Sequence, residues 1–187
     1  MGSYLIQKAS TFRTIDRNID KLYDSIISIY WSVLSVVPGF DDLFVDSFNS
    51  EDGIDTLSST YVYNSDEKLL TKPALSNLVL VTITWNASAI NPSKIFSVIE
   101  IETMDSFILG SDIQIYESTD NGGHYSFVPN LETYQTIDLI GYDKVYFIRG
   151  ELNNVPEYND KRIKTKVICS SLKNIKLKGI ATGVSYS

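Results

Sequence analysis

Between residues 12 and 36 the apolar side chains fall at Phe12, Ile15, Ile19, Leu22, Ile26, Ile29, Val33 and Val36, in steps that alternate three and four. This is an a/d heptad seam, and it stops at Pro38-Gly39, a pair that ends helices. The spacing predicts an N-terminal α-helix about 37 Å long. β-Branched residues occupy both a and d positions, which favours trimers or larger assemblies over dimers. Ile27, Tyr30, Trp31 and Leu34 widen the apolar face beyond the seam, as in a helix buried on several sides of its own domain. Both an oligomeric bundle and intramolecular packing satisfy the pattern. Residues 1–40 are therefore expected to be a helical assembly or docking segment.

From Leu75 onward the period changes to two. The alternation predicts strands at Asn77–Trp85, Lys94–Glu102, Asp112–Glu117, His124–Val128, Thr136–Leu139, Lys144–Arg149, Ile163–Ser170 and Ile175–Tyr186. Asn91-Pro92, Gly110-Ser111, Asn121-Gly122-Gly123 and Asn153-Asn154 supply turns between them. Near the C-terminus Ile163, Thr165, Val167 and Cys169 share one face while Arg162, Lys164 and Lys166 share the other, and Ile175 and Leu177 alternate with Lys176 and Lys178. Many short strands with turn punctuation and no helical period between them predict a mainly-β fold, a jelly-roll-like antiparallel β-sandwich over 75–187.

The segment between these halves is acidic. Residues 41–67 hold eight carboxylates and no basic residue, with Tyr61-Val62-Tyr63 as one short strand. Calcium takes six to eight oxygens, but "DSFNSEDGID" lacks a ligand at each alternate position before its glycine. Residues 41–74 are thus expected to be a solvated acidic connector, or to face the basic run at 161–178.

Composition narrows the function. A net charge of −7 argues against a general nucleic-acid binder, which needs a basic face to displace counterions. Aromatic content of 12%, rich in tyrosine, suits half-buried pleated surfaces. One cysteine, Cys169, leaves no internal disulfide and no thiolate metal cage; its alternation with Val167 and Thr165 marks it as a small buried hydrophobe. The first fourteen residues have no apolar core behind a basic start, and the apolar run Ile26–Val37 is shorter than the roughly twenty residues of a bilayer span. No membrane insertion, metal or cofactor is expected.

Candidate chemistry is sparse. His124, the only histidine, lies beside turn glycines with no nucleophile placed near it, so a solvated turn residue is expected and no catalysis. Trp85, Tyr116, Tyr125, Phe127 and Tyr134 offer rings that either fill the core or stack against a glycan, and Trp85, Tyr116 and Tyr125 are the candidate glycan contacts. Tyr125 and Phe127 share one hairpin face, which is expected to turn inward and leave Ser126 outside.

The stretches "IQIYESTDNGGHYSFV", "VYFIRGEL", "IKTKVICSS" and "LKNIKLKGIATGVSYS" together resemble a β-sandwich module of tailed-bacteriophage tail fibres and other virion structural proteins. In that family a strand enters an S-x-DGG-x-x-W turn and the chain ends on n-x-K-x-L-x-I-x-G-v-x-l-x-W. "DLFVDSFNSEDGIDTLSSTYVYNSDEKLLT" resembles the acidic D-x-F-x-d-x-dGID lead-in. Here Asn121 is inserted before the glycines, and Tyr125 and Tyr186 replace the usual tryptophans. The resemblance spans 42–187 and implies a non-enzymatic component of a fibre, appendage or collar in the virion, partnered by itself as a homotrimer or higher multimer and by other virion proteins. A carbohydrate-binding module for a host-surface glycan is the alternative.

Overall fold

The computed structural model describes residues 4–8, 40–138, 143–158 and 160–186. These contain strands β1 (Tyr4–Lys8), β2 (Asp42–Asp46), β3 (Val62–Asn64), β4 (Leu69–Thr71), β5 (Leu78–Val81), β6 (Trp85–Asn86), β7 (Lys94–Thr103), β8 (Ile113–Ser118), β9 (Ser126–Phe127), β10 (Glu132–Asp138), β11 (Lys144–Leu152), β12 (Arg162–Cys169) and β13 (Lys176–Ser185). The helix predicted over 12–36, with its seam Phe12, Ile15, Ile19, Leu22, Ile26, Ile29, Val33 and Val36, lies outside the described residues.

Two antiparallel sheets face each other. The larger runs β1-β2-β13-β7-β11-β10, with the β3–β4 hairpin joined through β4 to the far end of β13. The smaller runs β5-β12-β8-β9, with β6 also on β12. Strands β11, β12 and β13 alternate between the sheets, whereas β10 and β11 pair within the larger one. The expected mainly-β sandwich is thus what forms.

The period-two residues build the interior. Ile163, Val167 and Cys169 of β12 meet Ile95, Ile99 and Ile101 of β7 and Ile180 and Val184 of β13 in one core. Leu177 and Ile180, three residues apart, both reach that core because a bulge between Leu177 and Gly179 resets the alternation. Cys169 is 1% exposed, and burial pushes its thiol up to about 12, so it behaves as a small hydrophobe.

The acidic segment is more than a connector. Its first residues form β2, hydrogen-bonded between β1 and β13 and buried along its whole length. Phe44 stacks on Trp85 across the core at 6.2 Å. Asp46 is fully buried, with Oδ1 accepting the Phe48 amide at 2.8 Å. Gly53 to Asp55 are built in as well. The Gly53 carbonyl accepts the Ile83 amide, Ile54 joins the core, and Asp55 bonds Lys164. Alternating Phe44 with the buried Asp42 and Asp46 hides the strand from a reading based on charge.

The large sheet is apolar on its outer side too. Leu43, Val45, Val98, Val145, Phe147 and Ala181 form a second buried cluster there with Phe40. Gly150, between β11's core residues, is held close. A Cβ at this position would come within 2.6 Å of Val128 Cγ1 and 2.5 Å of Leu131 Cδ2. Leu131 is half-buried and can swing, but Val128 is fully buried and stiff at χ1. Gly150→Ala is therefore expected to cost about 1–3 kcal/mol through overpacking, read as a lower urea midpoint; an unchanged midpoint would contradict this packing.

Candidate functional site

The outer face of the small sheet carries a transverse row of side chains set by strand register. Lys166 of β12 lies opposite Tyr116 of β8, and Tyr116 lies opposite Phe127 of β9. Because alternate residues of a strand share a face, Ile115 and Val167 go to the core while Tyr116 and Lys166 stay outside. The Tyr116 and Phe127 rings meet edge to face, with centroids 5.5 Å apart at 63°. Tyr125, arriving from the turn, folds back so that the Lys166 ammonium lies 4.4 Å from its ring centroid and 4.9 Å from that of Tyr116. Two rings thus hold one cation, an arrangement favoured by their quadrupoles.

The polar groups around the row are fixed. Gln114 accepts from Tyr116 Oη at 3.3 Å and donates to the Gly110 carbonyl at 3.1 Å. Lys164 bonds Asp55 at 2.6 Å, and that hydrogen bond holds the Asp55 carboxyl below its ordinary value. Burial, then Glu117, Asp55 and Asp120, push the Tyr125 phenol up to about 12, so it stays a neutral donor. Lys166 has no carboxylate within salt-bridge distance among the described residues.

Several expectations are corrected. Phe127 is 41% exposed, and it and Tyr125 lie on the outer side rather than turning inward. The paired stretch of β9 is only two residues long, so the alternation that sends Val128 to the core sends Phe127 out. Trp85 is 1% exposed and stacked on Phe44, so it offers no face to a glycan. Tyr134 is half-buried on the large sheet, 6.0 Å from Phe147 and under Arg149. Of the candidate glycan contacts the structure brings together Tyr116 and Tyr125. It adds Lys166, which period-two spacing placed on the same outward face without indicating its two rings.

The turn below the row is structural. Asn121 and Gly122 take left-handed backbone, at φ 61° and 85°. Asp120 accepts from the Ser118 hydroxyl at 2.7 Å and the His124 amide at 2.9 Å, and its Oδ2 lies 2.6 Å from His124 Nδ1. Burial pushes the Asp120 carboxyl up, but these bonds outweigh it and hold it low. The carboxylate lies between serine and histidine, so the histidine is not placed to activate that serine. The basic run at 161–178 is largely paired. Lys176 meets Glu102 and Asp143, Lys178 meets Glu102, and Lys164 meets Asp55. Among the described residues no three histidine, cysteine or carboxylate side chains are grouped to hold a metal.

A cleft of about 260 Å³ opens over β7 and β11, lined by Phe96, Val98, Asn130, Glu132, Arg149 and Glu151. Its charges are already matched, Arg149 to Glu132 and Glu151 to Lys94. The row on the small sheet is the better candidate.

Behind the row, Glu117 points into the sandwich and ties the sheets together. Its carboxyl accepts from Ser97 of β7 at 2.5 Å and Thr165 of β12 at 2.9 Å, and the Thr165 and Thr182 hydroxyls are 2.6 Å apart. Burial pushes Glu117 up to about 8 against the pull of its two hydrogen bonds, and burial also pushes Asp46 up to about 7.

No protein-family model matches the chain, and no curated protein matches it. Among solved structures, TmCBM61 in complex with β-1,4-galactotriose is similar at 11% identity, over 79% of this chain and 87% of that one, with a TM-score of 0.27. A score that low carries no argument.

Glu117 and Asp46 keep in the folded chain a proton that the unfolded chain releases at neutral pH. Folding therefore takes up protons between the ordinary carboxylate range and about 8, and stability, complete below that window, falls as pH rises through it. The urea midpoint should be higher near about pH 5 than near about pH 9, and Glu117→Gln should flatten much of the slope. A midpoint that rises with pH over this range would contradict it.

Proposed function

We propose that the chain is a non-enzymatic attachment component of a tailed-bacteriophage virion, in a fibre or a tail- or head-attached appendage, and that its sandwich recognises a host-surface glycan. The row Lys166–Tyr116–Phe127 is the observation that carries this reading. Phe127 offers an open apolar face for the C–H side of a sugar ring, Tyr125 and Gln114 offer polar groups at its edge, and Lys166 offers a charge that favours an acidic sugar. Sugars need this combination because each ring has an apolar face and a hydroxyl rim. The virion assignment draws on the family resemblance, whose residues here lie at positions that build the fold: the Asp46 and Gly53-Ile54-Asp55 lead-in, the Asp120–Gly123 turn and the last strand. The N-terminal α-helix over 12–36 belongs to the same proposal.

A glycan array that includes acidic sugars tests the ligand. A reproducible hit is expected, weakened about tenfold or more (~1.4 kcal/mol) in Phe127→Ala and in Tyr116→Ala, and kept in Trp85→Phe. No hit, or a hit indifferent to both row variants, would overturn the glycan reading. Mass spectrometry of particles banded from the source culture tests the setting. Peptides of this chain should band with the particles, and their absence there would overturn the virion assignment.

A further inference from the structure

The cleft over β7 and β11 arises from strand register. β11 pairs with β7 along its whole length, from Lys144 opposite Thr103 to Leu152 opposite Ile95, whereas β10 begins only at Glu132, opposite Arg149. Residues 150–152 therefore have a ladder partner on one side only among the described strands. The chain arrives at β10 from β9, on the other sheet, through Pro129 and Asn130. Asn130 takes left-handed backbone at φ 53°, which asparagine tolerates. That turn walls the gap instead of filling it, and leaves the space of about 260 Å³.

The lining is polar and oriented. Alternate residues share a face, so Phe96 lies opposite Glu151 and next to Arg149 on the outer side of the sheet. Arg149 donates from Nε to Glu132 and lies over Tyr134, 5.5 Å from the ring centroid, which together fix the plane of the guanidinium. Its two terminal amino groups have no partner among the described residues. Neither do the side-chain amides of Asn130 and Asn153, both exposed at the cleft.

Charge selects the ligand. Arg149 is matched by Glu132 and Glu151 by Lys94, so an ionic ligand would have to displace one of these pairs. An uncharged polyhydroxylated ring need not. Its hydroxyls accept from the arginine fork and the amides and donate to the spare lone pairs of the two carboxylates, while its C–H side rests on the half-buried Phe96. The volume lies just below the ~300 Å³ at which clefts take drug-sized ligands, which suits a single ring. We infer that this cleft is a second recognition site, for a neutral sugar residue, on the opposite side of the sandwich from the Tyr116 row. It shares no residue with that row, and the two readings fail separately.

Titration of the isotope-labelled full chain with methyl glucoside, galactoside, mannoside and N-acetylglucosaminide, followed by amide spectra, tests it, with glucuronate and galacturonate as charged counterparts. At least one neutral glycoside should shift the Asn130 and Asn153 side-chain amides and the backbone amides of 150–153, and should bind there more tightly than either uronate. Affinity at these amides should fall about tenfold or more (~1.4 kcal/mol) in Arg149→Lys, which keeps the charge and loses the fork. Asn130→Gly, which keeps the left-handed turn and loses the amide, should weaken it in the same direction, and Phe127→Ala should leave it unchanged. The spectra also report whether each variant keeps its fold. The inference is overturned if no neutral glycoside shifts these amides at tens of millimolar, if the uronates bind there better, or if affinity ignores both cleft variants.

Discussion

The fold depends on the large sheet being buried from both sides. β13 is its pivot. β13 pairs with β7 along its length and with β2 and β4 on its other edge, so the C-terminal strand locks β2 into place. Its inner residues Leu177, Ile180 and Val184 belong to the core between the sheets, while Ala181 belongs to the cluster on the outer side. Strands buried on both faces cannot shift register without moving apolar side chains across the sheet. The frame that presents the small sheet is therefore rigid.

Rigidity in the frame gives the candidate site its geometry. The side chains of the row need no special loop, only the ladder between β12, β8 and β9. Glu117, the neighbour of Tyr116, anchors β8 from within through Ser97 and Thr165. One strand thus carries a buried polar clamp on its inner side and an aromatic contact on its outer side. Holding rings and a cation in place before a ligand arrives lowers the ordering cost of binding. The Asp120–Gly123 turn serves the same end by fixing where Tyr125 folds back.

Much of this was legible in the residues themselves. The alternation of Ile163, Thr165, Val167 and Cys169 against Lys164 and Lys166 read both faces of β12 correctly, and most strand limits fell within a few residues. β2 was not legible. Asp42 and Asp46 suggest solvent, and only the Phe48 amide and the neighbouring strands explain how Asp46 is buried. The platform was half legible: Tyr116 and Tyr125 were candidates, but the facing of Phe127 depends on where a two-residue strand begins, which no periodicity can set. Trp85 was misleading because a tryptophan suits a sugar site and a core equally well, and its partner Phe44 is remote in sequence.

Native-state hydrogen exchange reads the two-sided burial most directly. Amides of residues 95–101 in β7 and 177–184 in β13 should be the slowest in the chain and exchange only through global unfolding, whereas those of the β8–β9 hairpin tip should open locally. If the β7 and β13 amides instead exchanged as fast as that hairpin tip, the large sheet would not be the doubly buried frame from which everything else is positioned.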